Sequence, residues 1–382
     1  MHRMRPALRN YAWGTAHDIP ELLGLPVTGQ PVAEAWWGAH DSAPSRIDSA
    51  EGDVALDALI AADPVRCLGA EAAERWGPRL PFLLKLLAIE KPLSLQVHPT
   101  LAQAQEGFAA EQHGTGGAPR QFLDPFHKPE MLYALTPTTV LAGVRDLGAI
   151  REDLGLLRTA GAATLADTLD SGRLEDYITA ALAGAADDLT LAALARVGAD
   201  ARDGSSLAVA ARALEHFPGD PGAVIALALN VVHLAPGEAV YTGAGVLHSY
   251  QSGLGIEVMA NSDNVVRAGL TPKQVDVPLL LRLARTEPSL VARPDVARDA
   301  AAATFTTEAD EVALTVVTDG AARVPAGPRI VLAVEGSAMV DAGGEHLELA
   351  RGDAAFVPHA DGVAELAVAG TAVIAHLGSG PR

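Results

Sequence analysis

Two stretches of this chain run in one frame. In GEAVYTGAGVLH (residues 237–248), glycine is followed by five residues, glycine, one residue, glycine, two residues and histidine. In GDAAFVPHADGV (352–363), the frame starts on Gly352, carries Pro358 at the seventh place and ends on Val363 where the first copy has its histidine. A frame repeated at this stringency means one supersecondary unit built twice. Short apolar runs separated by glycine turns surround both copies, so the unit is made of strands. Residues 81–99, PFLLKLLAIEKPLSLQVHP, read as two strands, PFLLKLLAI and LSLQVH, joined at residues 90–92. EMLYALT and TTVLAGV follow as two more, hinged at Pro137, after a Gly-rich stretch, EQHGTGGAPRQ (111–121), that reads as a loop.

The texture changes over residues 147–217, which are rich in Ala and Leu at helical spacing and read as several short helices. Residues 218–222 close this insert, and strands resume at GEAVYTG and LGIEVMA. LTPKQVDVPLLLRLA carries a helix start, with Thr271 as N-cap and Pro272 first inside. The expected fold is mainly β with an α insert. Residues 1–146 and 218–300 form one unit, 147–217 the helical insert, and 301–382 a second β unit.

The twelve-residue frame resembles the second conserved motif of the cupins, small double-sheet (jelly-roll) β-barrels whose histidines bind a metal. The resemblance implies two cupin-like barrels, one keeping a metal histidine at His248 and a C-terminal one, with Val363 in that place, without metal ligands.

Charge narrows the partners. The chain has 28 basic and 47 acidic residues, a net charge of −19, which disfavours nucleic acid and anionic membranes as partners, since both bind cationic surfaces. No segment has the length of a membrane span: the apolar run over residues 223–229 stops at Asn230. The start, MHRMRPALRNYAWG, lacks the apolar stretch of a signal peptide, and the lone Cys67 allows no internal disulfide. A soluble cytoplasmic monomer acting on small molecules is expected. An anionic metabolite fits only where positive charge is gathered locally.

The lysines suggest where. Against 24 arginines there are four, Lys85, Lys91, Lys128 and Lys273, confined to PFLLKLLAIEKPLSLQVHP, HKPEMLYALT and NVVRAGLTPKQVD. In a chain so biased to arginine, lysine persists where a compact, deprotonatable ammonium is needed. Within SLQVHP, strand alternation puts Ser94, Gln96 and His98 on one face. Alone this is equally the polar outer face of a sheet. With His248 and with Glu130 of HKPE, it becomes a mixed N/O set of the kind zinc accepts, open also to manganese, iron or cobalt.

The stretches YAWG, AEAWWGAH, PFLLKLLAIEKPLSLQVHP, HKPEMLYALT, GAGVLHSY and NSDNVVRAGLTPK, in this order over about residues 10 to 285, resemble the type I phosphomannose isomerases, zinc-dependent cupin enzymes. The resemblance implies zinc ligands at Gln96, His98, Glu130 and His248, and a cleft using Ser94, Lys85, Lys128, Glu257, Arg267 and Lys273. It implies interconversion of mannose 6-phosphate and fructose 6-phosphate through a cis-enediol, in mannose metabolism and GDP-mannose precursor supply. Lys128 is taken as the base, with Glu257 as the other group able to act as one. Arg267 is assigned to stabilising the enediolate or orienting the substrate, and His127 to ring opening. Ser94, Lys85 and Lys273 are taken as substrate or phosphate contacts, helped by backbone N–H groups of a helix starting at residues 271–273. A lysine acts as a base near neutral pH only where a neighbouring cation such as a metal favours its free amine.

YAWG has Ala12 where many relatives are acidic, and the resemblance fades beyond about residue 300. Trp36 and Trp37 read as core, and His233, His346, His359 and His376 as structural or surface residues in β segments. The alternatives are a cupin metal oxygenase, against which Gln96, Glu130 and the lysines argue, and a catalytically silent sugar-phosphate-binding cupin, which would not require Lys128, Glu257 and Arg267.

Overall fold

The strand Phe82–Ile89, FLLKLLAI, is buried along its whole length, and the fold is organised around it. A near-continuous apolar run of this kind must be covered on both faces. It lies between two antiparallel neighbours, His248–Ala260, which sets Glu257 opposite Lys85, and Glu34–Gly38, which sets Trp36 opposite Lys85. The computed structural model describes residues 1–49, 52–114 and 119–378. These form a mainly β protein with helices, in two ten-stranded sheets. One sheet runs from Leu229–Leu234 through Thr138–Val144, His248–Ala260, Phe82–Ile89 and Glu34–Gly38 to Ala7–Arg9. Glu130–Ala134, Ala239–Thr242, Leu95–Val97 and Val266–Gly269 join it off this path.

The second sheet is built mostly from residues after 294, and here the chain departs from the division drawn above. The N-terminal strands His2–Arg5, Arg46–Ser49 and Gly52–Ala55 extend this sheet, through His2 opposite Phe356 and Met4 opposite Ile47. Sequence alone does not show which sheet a short edge strand will join. The two sheets share one apolar layer, in which Trp37, Phe82, Leu84 and Ile256 meet Phe305, Leu314, Leu332 and Phe356.

The repeated frame has a common local structure. Gly237 and Gly352 adopt φ of 91° and 86°, left-handed backbone that glycine takes without a Cβ penalty, and each leads into a four-residue strand, Ala239–Thr242 or Ala354–Val357. At Gly352 a Cβ would also lie 2.7 Å from the Leu22 carbonyl oxygen.

The helices Leu147–Leu157, Ala160–Thr168, Asp188–Ala199 and Ser206–His216 each start on a side-chain cap, Asp146, Thr159, Asp187 and Ser205, that accepts a hydrogen bond from a first-turn N–H. The helical run does not close at residues 218–222: Gly222–Leu227 is a further buried helix, and the strand Leu229–Leu234 precedes the GEAVYTG strand. The helix expected from Thr271 starts instead at Val277, with Asp276 as N-cap. The Thr271 hydroxyl accepts from the Lys273 N–H as a local turn, and Asp276 with the following proline supplies the stronger start. His359 lies in a short 3-10 turn rather than a strand. Part of the Gly-rich loop is the end of the helix Leu101–Gln112, and its residues 115–118 lie outside the described residues. Among the described residues, no single helix is long and apolar enough to cross a membrane.

Candidate active site and metal centre

Three separate segments bring His98, Glu130 and His248 together with their ligand atoms all within 4.8 Å of one another, each residue buried. Each histidine is locked by its Nδ1. That of His98 lies 2.7 Å from the Asn264 carbonyl and that of His248 2.9 Å from the Val246 carbonyl. A carbonyl only accepts, so both Nδ1 atoms carry the proton and both Nε2 atoms present a lone pair. Those Nε2 atoms face Glu130 oxygens at 3.2 Å, yet neither has a hydrogen-bond partner. Lone pairs facing carboxylate oxygens in a buried site repel unless a cation lies between them, and imidazoles oriented this way are the usual metal-ligand arrangement. Burial pushes the His98 ring down to about 4, only partly offset by Glu130, so it is neutral as a ligand must be. Burial would raise the Glu130 carboxyl, but Lys128 and the two imidazoles hold it well below the usual carboxylate range.

Gln96 completes the set by register. It lies directly opposite His248 on one neighbouring strand and opposite Arg267 on the other, so all three side chains share a face. A bulge in the strand His248–Ala260 does the same for Glu257. Its register against Thr138–Val144 shifts between Tyr250 and Ser252. Strict alternation would send Glu257 to the face opposite His248; one extra residue reverses this. Tyr250 donates its hydroxyl to Glu130 Oε2 at 3.1 Å from the same face.

Above this set opens a cleft of about 710 Å³. Its lining includes all four lysines of the chain, with Lys85 and Lys128 buried at the floor and Lys91 and Lys273 exposed at the rim. Ser94, Gln96 and Arg267 line it too. Lys128 Nζ sits 2.8 Å from Glu130 Oε1, and Lys85 Nζ 3.1 Å from Glu257 Oε2. Burial works against the Lys85 charge, but Glu257, Glu34 and Glu130 outweigh it and raise this ammonium above its ordinary value. Burial likewise raises the Glu257 carboxyl, against the pull of Lys85. Glu257 lies behind Lys85 rather than among the lining residues.

His127 is not brought into the cleft. It is not among the lining residues, and its Nε2 lies 3.0 Å from Glu311 Oε1. Trp36 lines the cleft, with the Lys85 ammonium 4.8 Å from its ring centroid, whereas Trp37 is fully buried in the core. The sequence reading missed His40, Glu34 and Asp263, which line the cleft, the last two through contacts no spacing rule gives: Trp36 Nε1 donates to Glu34, and His40 lies 3.2 Å from Asp263. It also missed Asn264, whose side chain accepts from the Leu123 N–H and donates to the Asp124 and Phe126 carbonyls, tying the HKPE segment to the strand end that orients His98. Replacing Asn264 with alanine strips these partners from a buried junction; a zinc titration should show affinity falling roughly 10-fold, the scale for outer-shell metal partners.

Residues 1–147 match the family model described as phosphomannose isomerase type I, catalytic domain. Mannose-6-phosphate isomerase of Escherichia coli is 35% identical over 375 residues, covering 94% of each chain. The human enzyme of the same name is 31% identical over 315 residues, covering 74% of this chain and 72% of its own. Among solved structures, a mannose 6-phosphate isomerase bound with zinc and yttrium superposes with a TM-score of 0.89 at 31% identity, covering 99% of this chain and 100% of its own. A point mutant of phosphomannose isomerase from Salmonella typhimurium superposes with a TM-score of 0.91 at 32% identity, with the same coverage.

Proposed function

The chain belongs to the type I mannose-6-phosphate isomerases, and from that premise we propose how its residues divide the interconversion of mannose 6-phosphate and fructose 6-phosphate. Gln96, His98, Glu130 and His248 hold zinc. The observation that carries this is the pair of orphaned Nε2 atoms facing Glu130. When bound, zinc supplies Lewis-acid stabilisation of negative charge on the sugar oxygens.

The sugar must open, lose a proton from C2 and gain one at C1 through a cis-enediol, with a proton exchanged between O1 and O2. Lys128 is the base at C2. It lines the cleft floor beside the metal set, whereas Glu257 stands behind Lys85 and acts on the charge of the site. Arg267, opposite Gln96 in register, places a permanent cation where the enediolate charge develops, an interaction of the kind that supplies the largest share of such rate enhancements. Ser94 and Lys273 take the phosphate, Lys273 through its side chain alone, since no helix begins beside it. Lys85, paired with Glu257, contacts the substrate from the floor. His127, engaged by Glu311, drops out of the ring-opening role.

The repeated frame and its matched glycine-strand geometry support reading the chain as two cupin-like units. The metal-bearing unit draws on residues 1–146 and 218–300 around the helical insert, less the strands His2–Arg5, Arg46–Ser49, Gly52–Ala55 and Asp295–Asp299, which pair with residues 301–382 in the second, ligand-free unit. A single cysteine supports a cytoplasmic enzyme, and the four lysines gathered on one cleft support small anionic sugar phosphates as its partners.

Protein stripped with a chelator and re-supplied with zinc is the test. In a coupled assay from mannose 6-phosphate to fructose 6-phosphate, activity should vanish on stripping and return with zinc. No turnover with zinc bound would overturn the reading.

A further inference from the structure

The Lys128 side chain is held on one side by Glu130, but the backbone that carries it is fixed from elsewhere. Three groups grip the segment from Asp124 to Glu130. From the metal side, Asn264 and Ser262 donate to the Phe126 carbonyl at 2.8 and 3.2 Å. Over the Phe126 ring stands the Arg79 guanidinium, 3.7 Å from its centroid. From the opposite side comes Glu311, on the loop between the strands Ala302–Thr306 and Ala313–Val324 of the second sheet.

That loop is built to reach across. Glu311 Oε1 receives the Trp76 indole N–H at 3.2 Å and lies 3.0 Å from His127 Nε2. Asp310 pairs with Arg75 at 2.6 Å, and the Tyr241 hydroxyl donates to Glu308 at 3.5 Å. Tyr241 precedes Thr242, which lies opposite Glu130 in the sheet. The loop is braced internally, with the Thr307 hydroxyl accepting from the Ala309 N–H at 3.1 Å. Glu311 is only 9% exposed, so its carboxylate is committed to these two partners rather than to solvent.

We propose that Glu311 is a positioning residue for the isomerase reaction: by fixing the His127 ring, it sets the backbone from which Lys128 projects into the cleft, so the second sheet takes part in turnover without touching the substrate. This rests on the reading of Lys128 as the base. The physical reason is that Lys128 lines the cleft while the ring of its chain neighbour His127 is held by Glu311, so losing that anchor frees the backbone the two residues share. A misplacement of about 1 Å at a reacting group costs up to roughly 10²-fold in rate. The charge on Glu311 is not itself required; what matters is a buried acceptor at that place.

The test uses the zinc-loaded full chain and four variants: Glu311→Ala, Glu311→Gln, His127→Ala and the double Glu311→Ala, His127→Ala. Zinc per chain, melting temperature, kcat and KM are measured for each. The expected result for Glu311→Ala is a kcat lower by on the order of 10- to 100-fold, with KM changed less than about twofold and zinc retained. Glu311→Gln, which keeps the oxygen acceptor, should recover most of that kcat. The double variant should be no slower than His127→Ala alone, because Glu311 acts only through that ring. Three outcomes would overturn the proposal: a Glu311→Ala kcat equal to the parent's, a loss that merely tracks lost zinc or lost folded protein, or losses from the two sites that multiply in the double variant. Failure of the isomerase reading itself would show separately, as an inactive zinc-loaded parent.

Discussion

His248→Ala is expected to purify without zinc and to turn over mannose 6-phosphate at least roughly 10³-fold more slowly than the parent, the upper scale for loss of a main electrostatic stabiliser. The residue is fully buried, its Nδ1 is held by the Val246 carbonyl two residues away, and its Nε2 has no hydrogen-bond partner, so the Nε2 lone pair is free to serve the metal. Removing the ring also takes from Glu130 Oε2 the Nε2 that faces it at 3.2 Å, leaving the hydrogen bond from the Tyr250 hydroxyl in place. Metal analysis alongside kcat decides the matter. One zinc per chain with parent-like turnover would remove His248 from the ligand set, and with it the structural meaning of the first glycine frame.

Lys128→Met separates proton transfer from metal holding. Methionine keeps the chain length and loses the ammonium. Turnover should fall by roughly 10²- to 10⁴-fold, the scale of general acid–base catalysis, while zinc stays bound. Exchange of the substrate's C2 hydrogen with deuterated solvent is the sharper readout and should disappear with turnover. If zinc leaves together with activity, the main task of Lys128 is to balance the Glu130 charge from 2.8 Å away. If C2 exchange persists at the parent rate, the base is elsewhere, and Glu257, raised by burial, becomes the group to replace next.

The parts of the site that could be read in the sequence are those governed by local geometry. Gln96 and His98 follow from a period of two, and Phe82–Ile89 from an apolar run that must be buried. The glycine frame works the same way: Gly237 and Gly352 adopt the same backbone because the same turn must precede the same short strand. What could not be read depends on partners far away in the chain. His127 sits in a segment dense with functional residues, yet an acidic loop from the other sheet takes its ring. Thr271 has the residue type of a cap, but Asp276 competes for the same helix and wins. The bulge near Tyr250 is invisible in a list of residues, though without it His248 and Glu257 would face opposite ways. The N-terminal strands likewise chose a sheet whose other members lie some 300 residues later.

The gathering of every lysine around one cleft changes what amine chemistry does to this protein. On most surfaces, acylating reagents and metabolic acyl donors meet many scattered lysines, and modification averages over harmless sites. Here the lysine amines are two at the cleft rim, Lys91 and Lys273, and two at its floor, Lys85 and Lys128. Acylating any of them removes a positive charge from the place where an anionic substrate must settle. For this chain, lysine acylation is therefore an active-site event. Bound sugar phosphate would shield the amines, and the extent of labelling would report how much of the enzyme is occupied.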